Sequence, residues 1–274
     1  MTTPYLHSLV LDLRATNNAP LEGTTGHQVH ALFLDLVGRV DPALAQRLHD
    51  EPGYRPFTVS GLRGGGPGGA GGALRAGQPA TIRLTLLDGG PIWQALSTRL
   101  LAAGPLALRL GAVELVLERL LATPGADAGG WAGHSTWAEL AATPARPYLT
   151  LEFASPTAFN LGDKRFALFP EPLLVWDSFL RVWGQYAPAP LQLDKAALRA
   201  YIPAAVLVAD YTLQTTSLQY PKHLQKGFVG RCTYRVTEAG PCAAQLAALA
   251  AFGRYAGVGY KTTMGMGQVR LVAP

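Results

Sequence analysis

Cysteine is nearly absent from this 274-residue chain: Cys232 and Cys242 stand ten residues apart without a CxxC partner. Neither a disulfide framework nor a zinc knuckle has its ligands, and both residues are expected as buried thiols. Charged side chains make up 15% against 49% hydrophobic, a balance that excludes a disordered chain. No apolar run approaches the roughly 18 residues of a membrane helix. The opening MTTPYLHSLVLDLRA lacks the charged start and cleavage site of a secretory signal, and Arg14 interrupts its apolar stretch. A soluble, cytoplasmic protein is expected. Clustered acids are missing too: Asp50 and Glu51 adjoin, but neighbouring positions do not converge on one ion without more partners. No metal and no cofactor is expected.

What the chain has is positive charge at one end. Residues 220 to 274 carry seven basic side chains against Glu238 alone. Interleaved with Phe228, Tyr234, Tyr255 and Tyr260, they suit a polyanion with stackable bases, since cations neutralise phosphate and rings pack on nucleobases. A solvated sheet face reads equally well from charge alone.

Periodicity divides the chain into two similar halves. A strand at 7–13 is followed by helices at 27–37 and 42–48, the second capped by Asp41 with Pro42 in its first turn. An extended segment at 54–62, a Gly-rich hairpin tip at 64–72, a strand at 81–87, a helix at 91–102 and strands between 106 and 121 complete a β-α-β-β-α-β order. Turn formers at 123–133 read as a linker. The order then recurs: a strand at 148–154, a helix at 173–185, a long hairpin at 205–220 and 225–237, a helix at 242–254 and a closing strand at 268–272. The expected fold is α+β, two tandem ferredoxin-like domains at 1–122 and 147–274 joined by a linker at 123–146. The Trp176, Phe179, Leu180 and Trp183 stripe on the 173–185 helix is expected in the core.

The strongest local signal is Gly257-Val-Gly259-Tyr-Lys261-Thr262-Thr263-Met-Gly265-Met-Gly267. Glycines there let the backbone approach phosphates closely, Lys261 adds charge, and Thr262 and Thr263 add hydroxyl donors. A tight connection needing positive φ is the plainer alternative. A Walker loop and a dinucleotide fingerprint both fail on spacing and context, because this loop follows a helix.

The pattern GhGxxxxxGhG, with h apolar, resembles the signature of the repeat-associated RNA-binding superfamily of CRISPR systems. Ser155-Pro-Thr157 before Phe159 resembles the start of the second domain in the CRISPR repeat-processing endoribonucleases. Leu48-His49-Asp50 before Arg55-Pro-Phe-Thr-Val-Ser60 resembles the turn that holds their catalytic histidine, and Lys226-Gly-Phe-Val-Gly230 resembles their hairpin. The resemblance implies an enzyme that cuts each repeat of a CRISPR transcript once without metal, leaving a 2′,3′-cyclic phosphate and a 5′-hydroxyl. Its partners would be repeat RNA, a CRISPR effector complex and a second copy of the chain. The alternative is a non-catalytic RNA-binding subunit of an effector complex with the same double fold.

Such a reaction needs a base for the 2′-hydroxyl, an acid for the departing 5′ oxygen and a cation beside the developing charge. His49 matches the catalytic histidine of the relatives, and Arg55 falls where many of them place a phosphate-binding lysine. Their tyrosine on the first helix is replaced here by Phe33-Leu34. His30 lies one turn away and is a candidate for the missing group, with a helix-start histidine packed against the sheet as the equal alternative. Lys222, Lys226 and Arg231, together with the glycine loop, are the expected RNA-binding residues.

Overall fold

The computed structural model describes residues 5–21, 23–64, 72–87, 90–102, 104–220 and 223–273. The chain forms two compact units: Met1–His134 with Leu218–His223 and Thr263–Gly265, and Ser135–Ser217 with Leu224–Thr262 and Met266–Pro274. The division falls at 134/135, inside the stretch expected to be a linker. Two short segments from the second half of the chain belong to the first unit.

In the first unit, β1 (Tyr5–Ala15) leads into α1 (Gly26–Gly38) and α2 (Pro42–Asp50). Then come β2 (Phe57–Val59), β3 (Pro79–Leu86), α3 (Pro91–Leu100), β4 (Leu106–Leu110) and β5 (Val113–Leu121). The sheet order is β2-β3-β1-β5-β4, the antiparallel order of a βαββαβ unit with β4 added at the edge. Alternation along β1 explains the layering. Leu9, Leu11 and Leu13, opposite Leu84, Ile82 and Ala80 of β3, enter one core with Val29, Phe33, Leu36 and Val37 of α1. The α1 residues recur at three and four positions, so one stripe of the helix covers the sheet.

On the other sheet face Ser8 is buried. Its hydroxyl donates to the Trp131 carbonyl at 2.5 Å and accepts from Arg83 Nε at 2.8 Å. The Arg83 guanidinium lies 4.6 Å from the Trp131 ring centre. The expected linker is therefore ordered structure. The Asp127 carboxylate accepts from the Trp131 and Ala132 amides, and a Thr136–Glu139 capping box opens α4 (Trp137–Ala141). Turn-forming residues shape this segment, but burial of Trp131 and Trp137 gives it packing that composition does not reveal.

The second unit contains β6 (Tyr148–Thr157), α5 (Pro172–Tyr186), α6 (Lys195–Ala205), most of β7 (Val206–Tyr220) and β8 (His223–Val236), whose ends at Leu218–Tyr220 and His223 belong to the first unit, and α7 (Pro241–Ala256) and β9 (Val269–Val272). The sheet order is β7-β8-β6-β9, that of a ferredoxin-like unit. Helix α6 was not expected. It is capped by Asp194, whose carboxylate accepts from the Ala196 and Ala197 amides, and Pro203 sits inside it. Trp176, Phe179, Leu180 and Trp183 are fully buried, as their spacing predicts. Cys232 is buried and Cys242 half-buried, both free thiols. Among the described residues no helix is long and apolar enough to cross a membrane. Of the expected Gly-rich tip at 64–72, residues 65–71 lie outside the described residues.

Candidate active site

His30 lies on the second turn of α1 and is buried, tilted against Phe57 with ring centres 5.5 Å apart. Its Nδ1 is 2.9 Å from the Thr263 carbonyl. A carbonyl only accepts, so Nδ1 carries the proton and donates, leaving Nε2 with the lone pair in the neutral ring. Burial, above all, pushes the His30 pKa below 6.5; the Thr263 bond opposes this, and the charges of Arg55 and His49 add to it. His30 is thus neutral and basic at Nε2 near pH 7.

His49 is exposed in the last turn of α2. The helix begins where the Asp41 carboxylate accepts from the Leu44 amide at 2.8 Å, and its end is closed by a side chain: Arg55 Nη2 donates to the His49 carbonyl at 2.8 Å. Arg55 therefore has a role the sequence does not show, fixing the backbone that carries His49. One of its donors is committed there, while Nε is buried without a hydrogen-bond partner among the described residues. His30, His49 and Arg55 form one electrostatic neighbourhood.

The glycine loop has the positive φ angles that a tight connection requires. Gly257, Gly259, Gly265 and Gly267 all have φ between +65° and +90°. The amides of Gly257, Val258, Gly259, Tyr260, Gly267 and Gln268 donate, respectively, to Gly253 O, Gly267 O, Ser178 Oγ, Ala158 O, Pro156 O and Ser155 Oγ. Ser155-Pro-Thr157 and the loop, two separate motifs in the sequence, form one hydrogen-bonded structure. Three of the four glycine amides are consumed inside the protein. Lys261 itself has φ +56°, with its ammonium 5.2 Å from the Tyr260 ring centre, and burial lowers its pKa.

Lys226 is exposed on β8, and Lys222 lies outside the described residues. Arg231 and Arg270 both face Glu152 of β6, at 3.6 and 2.6 Å, which partly neutralises the basic segment. Phe228, Tyr234 and Tyr255 are 1%, 0% and 4% exposed and cannot stack on bases. Alternation on β8 and the inward face of α7 send them to the core; Tyr260 alone of that set is half-exposed. The roles of the Thr263 carbonyl and Glu152 were missed because each depends on partners distant in sequence.

Family models for the CRISPR Cas6 N-terminal domain and the CRISPR-associated endoribonuclease Cas6 match residues 5–68 and 151–269. The solved Cas6 product complex is 33% identical with a TM-score of 0.81, covering 98% of this chain and 100% of the other. The chain belongs to the Cas6 family of CRISPR-associated endoribonucleases. Thermus thermophilus Cas6 is 29% identical with a TM-score of 0.74, over 99% of this chain and 100% of that one. A CRISPR-associated endoribonuclease Cas6 of Streptococcus thermophilus is 27% identical over 124 residues, 45% of this chain and 50% of that protein. One from Mycobacterium tuberculosis is 28% identical over 130 residues, 47% of this chain and 40% of that protein. The match thus spans half or less of the curated Cas6 relatives. Every candidate site residue falls within a Cas6-matched span: His30, His49 and Arg55 in the first, and Lys222, Lys226, Arg231 and the glycine loop in the second.

Proposed function

We propose that this Cas6-family chain cuts CRISPR repeat RNA in the precursor transcript, without metal, to release guide RNAs for a CRISPR effector complex. His30 Nε2 takes the proton of the 2′-hydroxyl as its oxygen attacks the adjacent phosphorus. The bond from phosphorus to the 5′ oxygen breaks, and protonated His49 gives its proton to that leaving oxygen. The products are a 2′,3′-cyclic phosphate and a 5′-hydroxyl. Arg55 supplies positive charge beside the phosphorane through the donors that His49 does not occupy.

The observation that carries this reading is the anchored Nδ1 of His30, which leaves Nε2 of a buried, neutral ring as its basic nitrogen in the electrostatic reach of a second histidine and an arginine. Its test is incubation of the protein with the repeat RNA of its own genome in excess chelator, with product ends identified by mass spectrometry. A single cut with cyclic-phosphate and hydroxyl ends is expected. Tight binding without cleavage would instead make the chain a binding subunit, and a cut that needs metal would overturn the mechanism.

A further inference from the structure

The Thr263 carbonyl reaches His30 only if the turn that carries it is held in place. Thr263–Gly265 belongs to the same compact unit as α1, and three contacts within that unit fix it. A Cβ on Gly26, the first residue of α1, would lie 2.0 Å from the Met264 carbonyl oxygen, so the helix start and the turn approach more closely than any side chain permits. The Tyr220 hydroxyl donates to that same Met264 carbonyl at 3.3 Å, and Tyr220 is buried. Gly265 forms a parallel bridge with Ser60, just before Leu62, whose amide donates to Thr25 Oγ1 at 2.7 Å. Two consecutive carbonyls of the turn are thereby assigned, Thr263 to the His30 ring and Met264 to the Tyr220 hydroxyl.

We infer that this turn is a positioning device for His30, with Gly26 and Tyr220 as the positioning residues that set the tautomer and aim of its ring. The inference rests on His30 as the base of the proposed reaction. A histidine whose Nδ1–H is held by a carbonyl presents Nε2 as its basic nitrogen, and a base acts only within hydrogen-bond reach of the proton it removes. Loosening the turn frees the ring to exchange tautomers and to rotate away. No group that contacts substrate need be altered to do so.

Two variants test this. Tyr220→Phe removes one hydroxyl and keeps the buried ring. Gly26→Ala pushes the Met264 carbonyl, and Thr263 with it, away from α1. Nitrogen-15 NMR of the histidine rings near pH 7.5 reads the tautomer directly. Wild type is expected to show His30 protonated at Nδ1, and both variants a mixture. Cleavage at saturating RNA should fall by about 10- to 100-fold, with RNA affinity unchanged within threefold, about 0.7 kcal/mol. The groups acting on the His30 charge are Arg55 and His49, both of which lower its pKa, while the Thr263 bond raises it. Losing that bond should move the acid limb of the rate profile to lower pH even as the plateau falls. Adding His30→Ala to Gly26→Ala should cost much less than His30→Ala costs in wild type.

An Nε2–H tautomer in wild type overturns the inference. So does a Tyr220→Phe protein with unchanged tautomer and unchanged acid limb. If Gly26→Ala fails to fold, Tyr220→Phe decides alone. The NMR result stands without any cleavage assay, so a chain that does not cut RNA would fail the proposed function while leaving the positioning question answered.

Discussion

His49 and His30 differ in how the fold treats them, and that difference sets what each substitution should do. His49 is exposed at a helix end, so His49→Ala leaves no cavity and should cost little stability. It is expected to slow cleavage by about 10² to 10⁴ while repeat binding, measured by filter retention or anisotropy, stays near wild type; unchanged cleavage would remove His49 from the mechanism. His30→Ala should slow cleavage comparably. The double variant should be far less impaired than the product of the two single effects, because groups acting in one step are not additive. Sequence spacing placed His30 on α1 near Phe33 and Leu34, but the bond to Thr263, 233 positions away, decides its protonation, and no local pattern encodes that. For Arg55 the sequence suggested a phosphate contact, and the structure adds its bond to the His49 carbonyl.

At the scale of elements, the glycine loop and the β7–β8 hairpin invite opposite predictions. A Cβ at Gly259 would meet the Ala158 carbonyl at 2.5 Å, with φ at +77°. Gly259→Val should therefore destabilise the protein by about 1–3 kcal/mol from backbone strain, with the clash added, and a chemical melt should show this before any RNA measurement does. A variant as stable as wild type would contradict the reading. In β8 Phe228 is buried and Lys226, two positions earlier, is exposed; strict alternation would put both on one face, and the β6–β8 register shifts between Phe153 and Thr157, the partner of Phe228. Phe228→Ala should cost about 3–5 kcal/mol. Lys226→Ala should leave the melt unchanged and flatten the dependence of log affinity on log salt by roughly 0.7 to 0.9 if it meets one phosphate. Arg231→Ala should flatten it less, since Glu152 already faces that guanidinium. A salt slope indifferent to Lys226 would exclude it from the RNA surface.

For the whole molecule, the acid response follows from histidines that fold neutral. His7 of β1 stacks on Trp93 at 4.6 Å, and burial, with His134 adding repulsion, lowers its pKa from 6.5 to about 4. The unfolded chain binds this proton first, so stability should fall as pH drops from 6.5 to about 4 and level off below for this group. His30, lowered in the same sense, adds to the loss. Replacing His7 by Gln removes one titrating group, and denaturant melts between pH 7.5 and 4.5 should show a shallower decline. An identical decline would mean that His7 does not titrate as the fold implies.

Periodicity was sufficient for the order of strands and helices, because a one-sided core demands alternation in strands and three-to-four spacing in helices; β1, α1, α5 and α7 appear where their apolar residues predict. The spacing of the glycines marked the loop, since four of its five left-handed positions are glycine and the fifth is Lys261, and the resemblance to the CRISPR repeat-processing endoribonucleases supplied the candidates His49 and Arg55. Only the tertiary structure decided which atoms those residues use. It consumed the loop amides on Ser155, Pro156, Ala158 and Ser178, and it sent Phe228, Tyr234 and Tyr255 to the core. It also turned an apparent linker into a packed segment around Trp131 and gave His30 the carbonyl that fixes its proton. These outcomes rest on partners tens to hundreds of residues apart, and hydrogen bonding and burial are settled by distance in space, which the linear order of side chains does not contain.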